Sequence, residues 1–367
     1  MMRIGIITFH RAYNCGAMLQ AWALKTVLER MGHNVVFPFG DYNRVLPRYS
    51  VQSPLAGRCS SGSLLKRLRS FLYRLFLTVI GKKSGVTAGV YYEDFRRKFL
   101  PEISCDVKDW GNVFDAVILG SDQVLNPRIR NWTSYFLCKE VPAGICKIAY
   151  AASVGEKSLS FEIESEILEA LASFAAVSVR EPFKDFPVVL DPTLLLTSED
   201  YNTIAKHVRK RREYVYLYSI ETSPFEIAVA RKISEKLGLE LLITPLHGTF
   251  NRKKEYDISN RISPSYMVGY IKEAKYVLAG SFHGVALALI YGKPFLNILP
   301  DHREARRVST LLEHIGEIGR IVNPDICIDE MILRLTRQLN EKVLLYLKKN
   351  RYESLEWLEV ALAKIQK

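Results

Sequence analysis

Short apolar runs alternate along the chain with amphipathic stretches of helical spacing. Residues 3–9 are rich in β-branched side chains and predict a first strand. After the polar loop His10-Arg-Ala-Tyr-Asn-Cys-Gly16, the positions Leu19, Trp22, Ala23, Thr26 and Val27 recur at helical spacing. They predict a helix over 17–31, with Asn14 as N-cap and Gly32 as its stop. Residues 35–39 predict the next strand and complete a βαβ unit. The rhythm resumes with strands at 114–119, 147–152 and 176–179, a helix at 162–174, and 188–196 as a last strand leading into a linker.

The second half repeats the pattern. It predicts strands at 214–219, 239–244, 276–279 and 294–299, and helices at 224–237, 265–273 and 308–314; a charged helical stretch covers 326–367. Helix-alternated strands mean parallel sheets covered on both faces. We expect an α/β chain of two Rossmann-like, doubly wound domains facing each other across a cleft: 1–196, 197–322, and a C-terminal helical segment 323–367. In such sheets ligands bind outside the carboxyl ends of the strands. The first turn holds only Gly16 of a dinucleotide fingerprint, so it does not read as an NAD site.

Between 44 and 90 strand signals fade. Residues 63–80 form an apolar stripe (Leu64, Leu68, Phe71, Leu72, Leu75, Val79) opposite Lys66, Arg67, Arg69 and Arg74. That pattern suits a helix lying on an anionic bilayer, or equally one packed on the domain with a solvated basic face. The formal net charge is +12, which asks for an acidic partner. No zinc finger or RNP-type motif points to nucleic acid, and an anionic membrane surface is the expected partner. No apolar run is long enough to span a bilayer. The first residues enter a strand without a secretory pattern, and six scattered cysteines fit a reducing compartment. The expected location is cytoplasmic, at most peripheral to the membrane.

Chemistry concentrates where a predicted strand meets a turn and an apolar helix, Gly280-Ser-Phe-His-Gly284. Backbone N–H groups at such a helix start favour anions, and His283 beside them is a candidate proton carrier. Spacing alone equally allows a capping or core histidine. Asp122 and Arg180 fall on carboxyl-end loops of the first half, where they can also be a turn former and a surface ion pair. Arg303 and Arg307 follow the strand at 294–299.

Taken together and in order, seven short stretches resemble the polysaccharide pyruvyl transferase family. They are Thr8-Phe-His-Arg-Ala-Tyr-Asn-Cys-Gly-Ala-Met-Leu-Gln20, Gly120-Ser-Asp-Gln-Val-Leu-Asn-Pro127, Ala149-Tyr-Ala-Ala-Ser-Val-Gly155, Ser178-Val-Arg-Glu181, Leu190-Asp-Pro-Thr193, Gly280-Ser-Phe-His-Gly284 and Arg307-Val-Ser-Thr-Leu-Leu312. The resemblance implies a glycosyltransferase-like (GT-B) architecture. It also implies transfer of the enolpyruvyl carbons of phosphoenolpyruvate to a sugar, usually as a cyclic ketal on two hydroxyls. The acceptor is not implied by it; the basic amphipathic stretch is what makes a polyprenyl-diphosphate-linked one the expectation. It places the family's histidine on His283, an anion-binding arginine on Arg180 and a carboxylate on Asp122.

Some relatives carry an arginine where this chain has Ser281, so Arg307 or Arg303 must supply that cation, beside Ser281 and Gly284. Asn14, Cys15, Gly16, Gln123 and Asn126 are expected to line the acceptor side of the cleft. No step in that chemistry needs a metal or another cofactor. Two other classes stay open: a glycosyltransferase using a nucleotide-sugar donor, and a non-catalytic protein of the membrane surface.

Overall fold

The computed structural model describes residues 1–40, 84–127, 133–155, 158–207, 212–219, 223–245, 257–258, 261–299 and 305–366. The basic stretch 63–80 and Arg303 lie outside them.

In the first domain the strands are β1 (Arg3–Ile7), β2 (Asn34–Phe39), β3 (Glu102–Ser104), β4 (Ala116–Leu119), β5 (Cys146–Ala152) and β6 (Ala176–Val179). The helices are α1 (Cys15–Arg30), α2 (Ser84–Phe99), α3 (Thr133–Phe136), α4 (Phe161–Leu171), α5 (Pro192–Leu195) and α6 (Ser198–Asn202). In the second, β7 (Tyr214–Ser219), β8 (Glu240–Pro245), β9 (Asp257–Ile258), β10 (Tyr276–Ala279), β11 (Phe295–Ile298) and β12 (Ile321–Val322) alternate with helices. These are α7 (Pro224–Leu237), α8 (Pro264–Glu273), α9 (Phe282–Ile290), α10 (Ala305–His314), α11 (Ile328–Thr336) and α12 (Lys342–Ala363).

The sheet orders are β3-β2-β1-β4-β5-β6 and β12-β11-β10-β7-β8-β9, and every ladder is parallel. Each is the doubly wound order, with direction reversing between β1 and β4 and between β7 and β10. A crevice opens at such a reversal, outside the carboxyl ends. Those four strands are apolar and buried almost throughout, as burial on both faces demands.

Three segments depart from expectation. Residues 188–196 are not a strand: Val188 makes one isolated bridge to Val179, and Pro192–Leu195 is helical with Asp191 as N-cap. Proline lacks the N–H a strand needs and suits a first helical position. Past the region 44–90, where strand signals fade, β3 adds a strand at the sheet edge, and within that region α2 already starts at Ser84. Its glycine and β-branched residues weaken helix propensity, but buried Tyr92 and Phe95 anchor it. Finally, residues beyond 323 divide between the domains. Met331 and Leu335 of α11 join the core of the second sheet. By contrast α12 returns to the first domain: Ser354 Oγ accepts from Leu190 N at 3.0 Å, and Arg351 donates to the carbonyls of Leu194 and Leu196.

Candidate functional site

The two reversal points face each other. On the first wall, Asn14 caps α1 by accepting from the N–H groups of Gly16 and Ala17. On the opposite wall, Ser281 caps α9 by accepting from Gly284 N at 3.2 Å. His283 is therefore the second residue of α9, not part of the turn before it. Its ring lies against the start of α1 so closely that a β-carbon on Gly16 would sit 2.1 Å from Nδ1. Two helix N-termini, both positive ends, thus abut through a glycine and a histidine.

The loop between β6 and α5 supplies what the sequence reading missed. Asp191 is fully buried; its Oδ1 accepts from Thr193 N and Oγ1 at 2.9 and 2.7 Å, and its Oδ2 from Ser121 Oγ and Arg180 Nη1, both at 2.9 Å. His283 Nε2 lies 3.8 Å from the same Oδ2. Burial pushes the Asp191 carboxyl up, but His283, Arg180 and Thr193 outweigh it and hold it well below the usual carboxylate range. The signal was available, since Asp before Pro is a helix-start pattern, but the surrounding apolar run disguised it as a strand.

Arg180 is buried too. Besides Asp191 it donates from Nε to Glu181 at 3.4 Å, stands 3.9 Å from Asp122 Oδ1, and lies 4.9 Å above the Phe282 ring. Burial lowers its pKa, yet Glu181, Asp191 and Asp122 more than reverse this and raise it above the usual arginine value. Most of its fork is therefore engaged by protein carboxylates. Only Nη2 has no hydrogen-bond partner, and among the described residues His283 Nε2 shares that condition. The His283 nitrogen stands 3.8 Å from Asp191 Oδ2, and the Arg180 nitrogen 3.9 Å from Asp122 Oδ1. Buried polar atoms of this kind want a partner.

Asp122 takes the left-handed conformation (φ 76°), which aspartate tolerates, and so ends β4 with its carboxylate beside Arg180. Its Oδ1 accepts from Gln123 N. The Gln123 amide, with its oxygen toward α10, accepts from both terminal nitrogens of Arg307 at 3.0 Å, an orientation that follows from those partners. In that orientation the Gln123 nitrogen faces the Asn126 amide, and the pair fills the space a β-carbon on Gly155 would take.

The structure thus brings together His283, Asp122, Arg180, Arg307, Gln123, Asn126, Gly16 and Asn14. It turns two expected residues inward. Cys15 Sγ contacts Tyr92 Oη at 3.1 Å in the core, and burial pushes its thiol up to about 12. Gly284 presses on β10, where a β-carbon would lie 2.9 Å from that of Ala279. No group of three His, Cys, Asp or Glu side chains among the described residues is placed to hold a metal.

Two parallel-sheet domains facing across a cleft at their reversal points define the GT-B class. Solved structures resemble the protein over almost the whole chain. The Arabidopsis thaliana protein UGT89C1, solved with quercetin, is 11% identical over 99% of both chains with a TM-score of 0.52. The UDP-GlcNAc 2-epimerase of Neisseria meningitidis, bound to UDP-GlcNAc, is 10% identical over 99% of this chain and 100% of its own, with a TM-score of 0.49. The likeness to UGT89C1 shows the fold alone. No curated protein matches the chain. The polysaccharide pyruvyl transferase family matches residues 14–302, most of the chain, and the protein belongs to that family.

Proposed function

We propose that the protein transfers the enolpyruvyl carbons of phosphoenolpyruvate to a sugar of a lipid-linked surface-polysaccharide precursor. The product is a pyruvate ketal, and phosphate is released. The observation that carries this reading is the pair of orphan buried nitrogens, His283 Nε2 and Arg180 Nη2, at the meeting of two helix N-termini. A small anion there would satisfy both and meet the dipoles. Arg180 is surrounded by three carboxylates, so the donor's charge leans on Arg307, the α9 N-terminus and the one free nitrogen of Arg180.

In this reading the imidazolium of His283 gives its proton to the vinyl CH₂ carbon as an acceptor hydroxyl attacks the adjacent carbon. Asp122 takes the hydroxyl proton. The C–O bond to phosphate then breaks and the second hydroxyl closes the ring. Its proton leaves with the phosphate, and the proton on Asp122 returns through solvent to His283. The cationic surroundings steady the phosphate as it departs. No metal enters these steps. The acceptor's lipid and the membrane surface are part of the same proposal, resting on the charge of the stretch 44–90.

The test incubates the enzyme with phosphoenolpyruvate and candidate lipid-linked sugars. It follows inorganic phosphate and the added pyruvyl mass by mass spectrometry. His283→Asn should lower turnover by about 100-fold or more with the fold retained. Wild-type turnover in that variant would remove the acid. Transfer from a nucleotide sugar, with none from phosphoenolpyruvate, would replace the reading by a glycosyltransferase.

A further inference from the structure

We infer that Asp191 is a positioning residue that ties His283 of the second domain to Arg180 of the first; this rests on the reading of His283 as the acid. The carboxylate is completely buried and its two oxygens already receive four hydrogen bonds, from Thr193 N, Thr193 Oγ1, Ser121 Oγ and Arg180 Nη1. At 3.8 Å it stands beside His283 Nε2 as a neighbouring charge, too distant to accept a hydrogen bond from it. Nε2 keeps its donor capacity for a substrate, while the negative charge holds the protonated ring toward the first domain.

From the other side, the bare Cα of Gly16 stops the ring, since nothing larger fits there. Asp191 is itself rigid: it caps α5, whose first residue is Pro192, and the backbone just before it is tied to α12 through Leu190 N and Ser354 Oγ. The same oxygen that orients Arg180 thus sets where the ring sits, and one carboxylate serves both walls. Removing its charge should loosen the ring, which is read in kcat, and free Arg180, which is read in the donor KM.

The experiment compares wild type, Asp191→Asn, Thr193→Val, His283→Gln and the two double variants with His283→Gln. Near-ultraviolet circular dichroism checks the fold. Acting through the ring, Asp191→Asn should lower kcat by about 10-fold or more and cost almost nothing further once His283 is Gln, because residues that act as a unit are non-additive. Thr193→Val, which only removes one hydroxyl from the carboxylate, should lower kcat by roughly 3- to 10-fold with the same dependence on His283. Losses that multiply independently of His283 would overturn the inference and leave a structural role.

A second readout needs no turnover. In ¹⁵N-histidine-labelled protein the imidazole signal absent from His283→Gln should shift in both Asp191→Asn and Thr193→Val. An unmoved signal overturns the coupling even if the donor proves not to be phosphoenolpyruvate. Should Asp191→Asn fail to fold, the Thr193→Val pair decides alone. Failure of wild type to release phosphate from phosphoenolpyruvate would instead strike the proposed function, with the imidazole signal still reporting on Asp191.

Discussion

Gly16 shows how a single residue can be dictated by a side chain some 270 positions away. A methyl group there would lie 2.5 Å from Cγ of His283 and closer still to Nδ1, so Gly16→Ala must displace the ring or part the walls. We expect kcat/KM to fall by about 100-fold, the usual cost of a misplacement near 1 Å, with little change in the melting temperature. An active Gly16→Ala enzyme would mean the ring does not work from this position. Cys15 makes the complementary point. A helix start favours a thiolate, but burial makes Cys15 a core filler and pushes both it and Cys138 up to about 12. Iodoacetamide at pH 8 should leave these two unlabelled in native protein and modify the exposed Cys327, as peptide mass spectrometry would show. Sequence could place His283, Asp122 and Arg180 on loops because loop position follows from strand ends. It could not say that Arg180 is already engaged by three carboxylates, since two of them, Asp122 and Asp191, come from other loops.

At the scale of elements, what was legible was local. The Asn14 cap and the Gly32 stop (φ 87°) need only neighbouring residues and physical rules of helix ends. What was not legible is tertiary: β9 and β12 have two residues each and exist only by pairing with β8 and β11. The helix α5 was hidden because an apolar run reads the same in a strand as in a buried helix. Ser281 separates cap from ligand. Its hydroxyl accepts from Gly284 N, and Ser281→Ala should destabilise α9 by about 1 kcal/mol, whereas Ser281→Gly should cost only a few tenths. Urea unfolding measures the difference. If the hydroxyl instead grips the donor, both variants should raise the donor KM alike, and that pattern would overturn its role as a cap alone.

For the molecule as a whole the consequence of joining two domains through charged, buried groups appears in acid. Asp191 binds its proton far less readily folded than unfolded, so its contribution is complete above the unfolded carboxyl value of 3.8 and is lost as pH falls below it toward the folded value. Below that point the unfolded chain takes up a proton that the native chain refuses, and stability drops by about 1.4 kcal/mol per pH unit for this one group. Glu102, beside His10 and Arg96, is depressed in the same sense: burial raises it, and those two partners outweigh that. The total slope is therefore steeper. Asp191→Asn isolates the part due to Asp191. Between pH 4 and 2.5 its urea-derived stability should fall less steeply than wild type by about one proton's worth, although it starts lower at neutral pH because Arg180 loses an anionic partner. Parallel slopes would mean that Asp191 is not charged in the native protein. Because His283 and Arg180 sit on opposite domains with this carboxylate between them, the acid transition of wild type should begin with separation of the walls. Fluorescence from Trp22, which packs on Tyr201 within the first domain, should then lag behind any probe of the cleft.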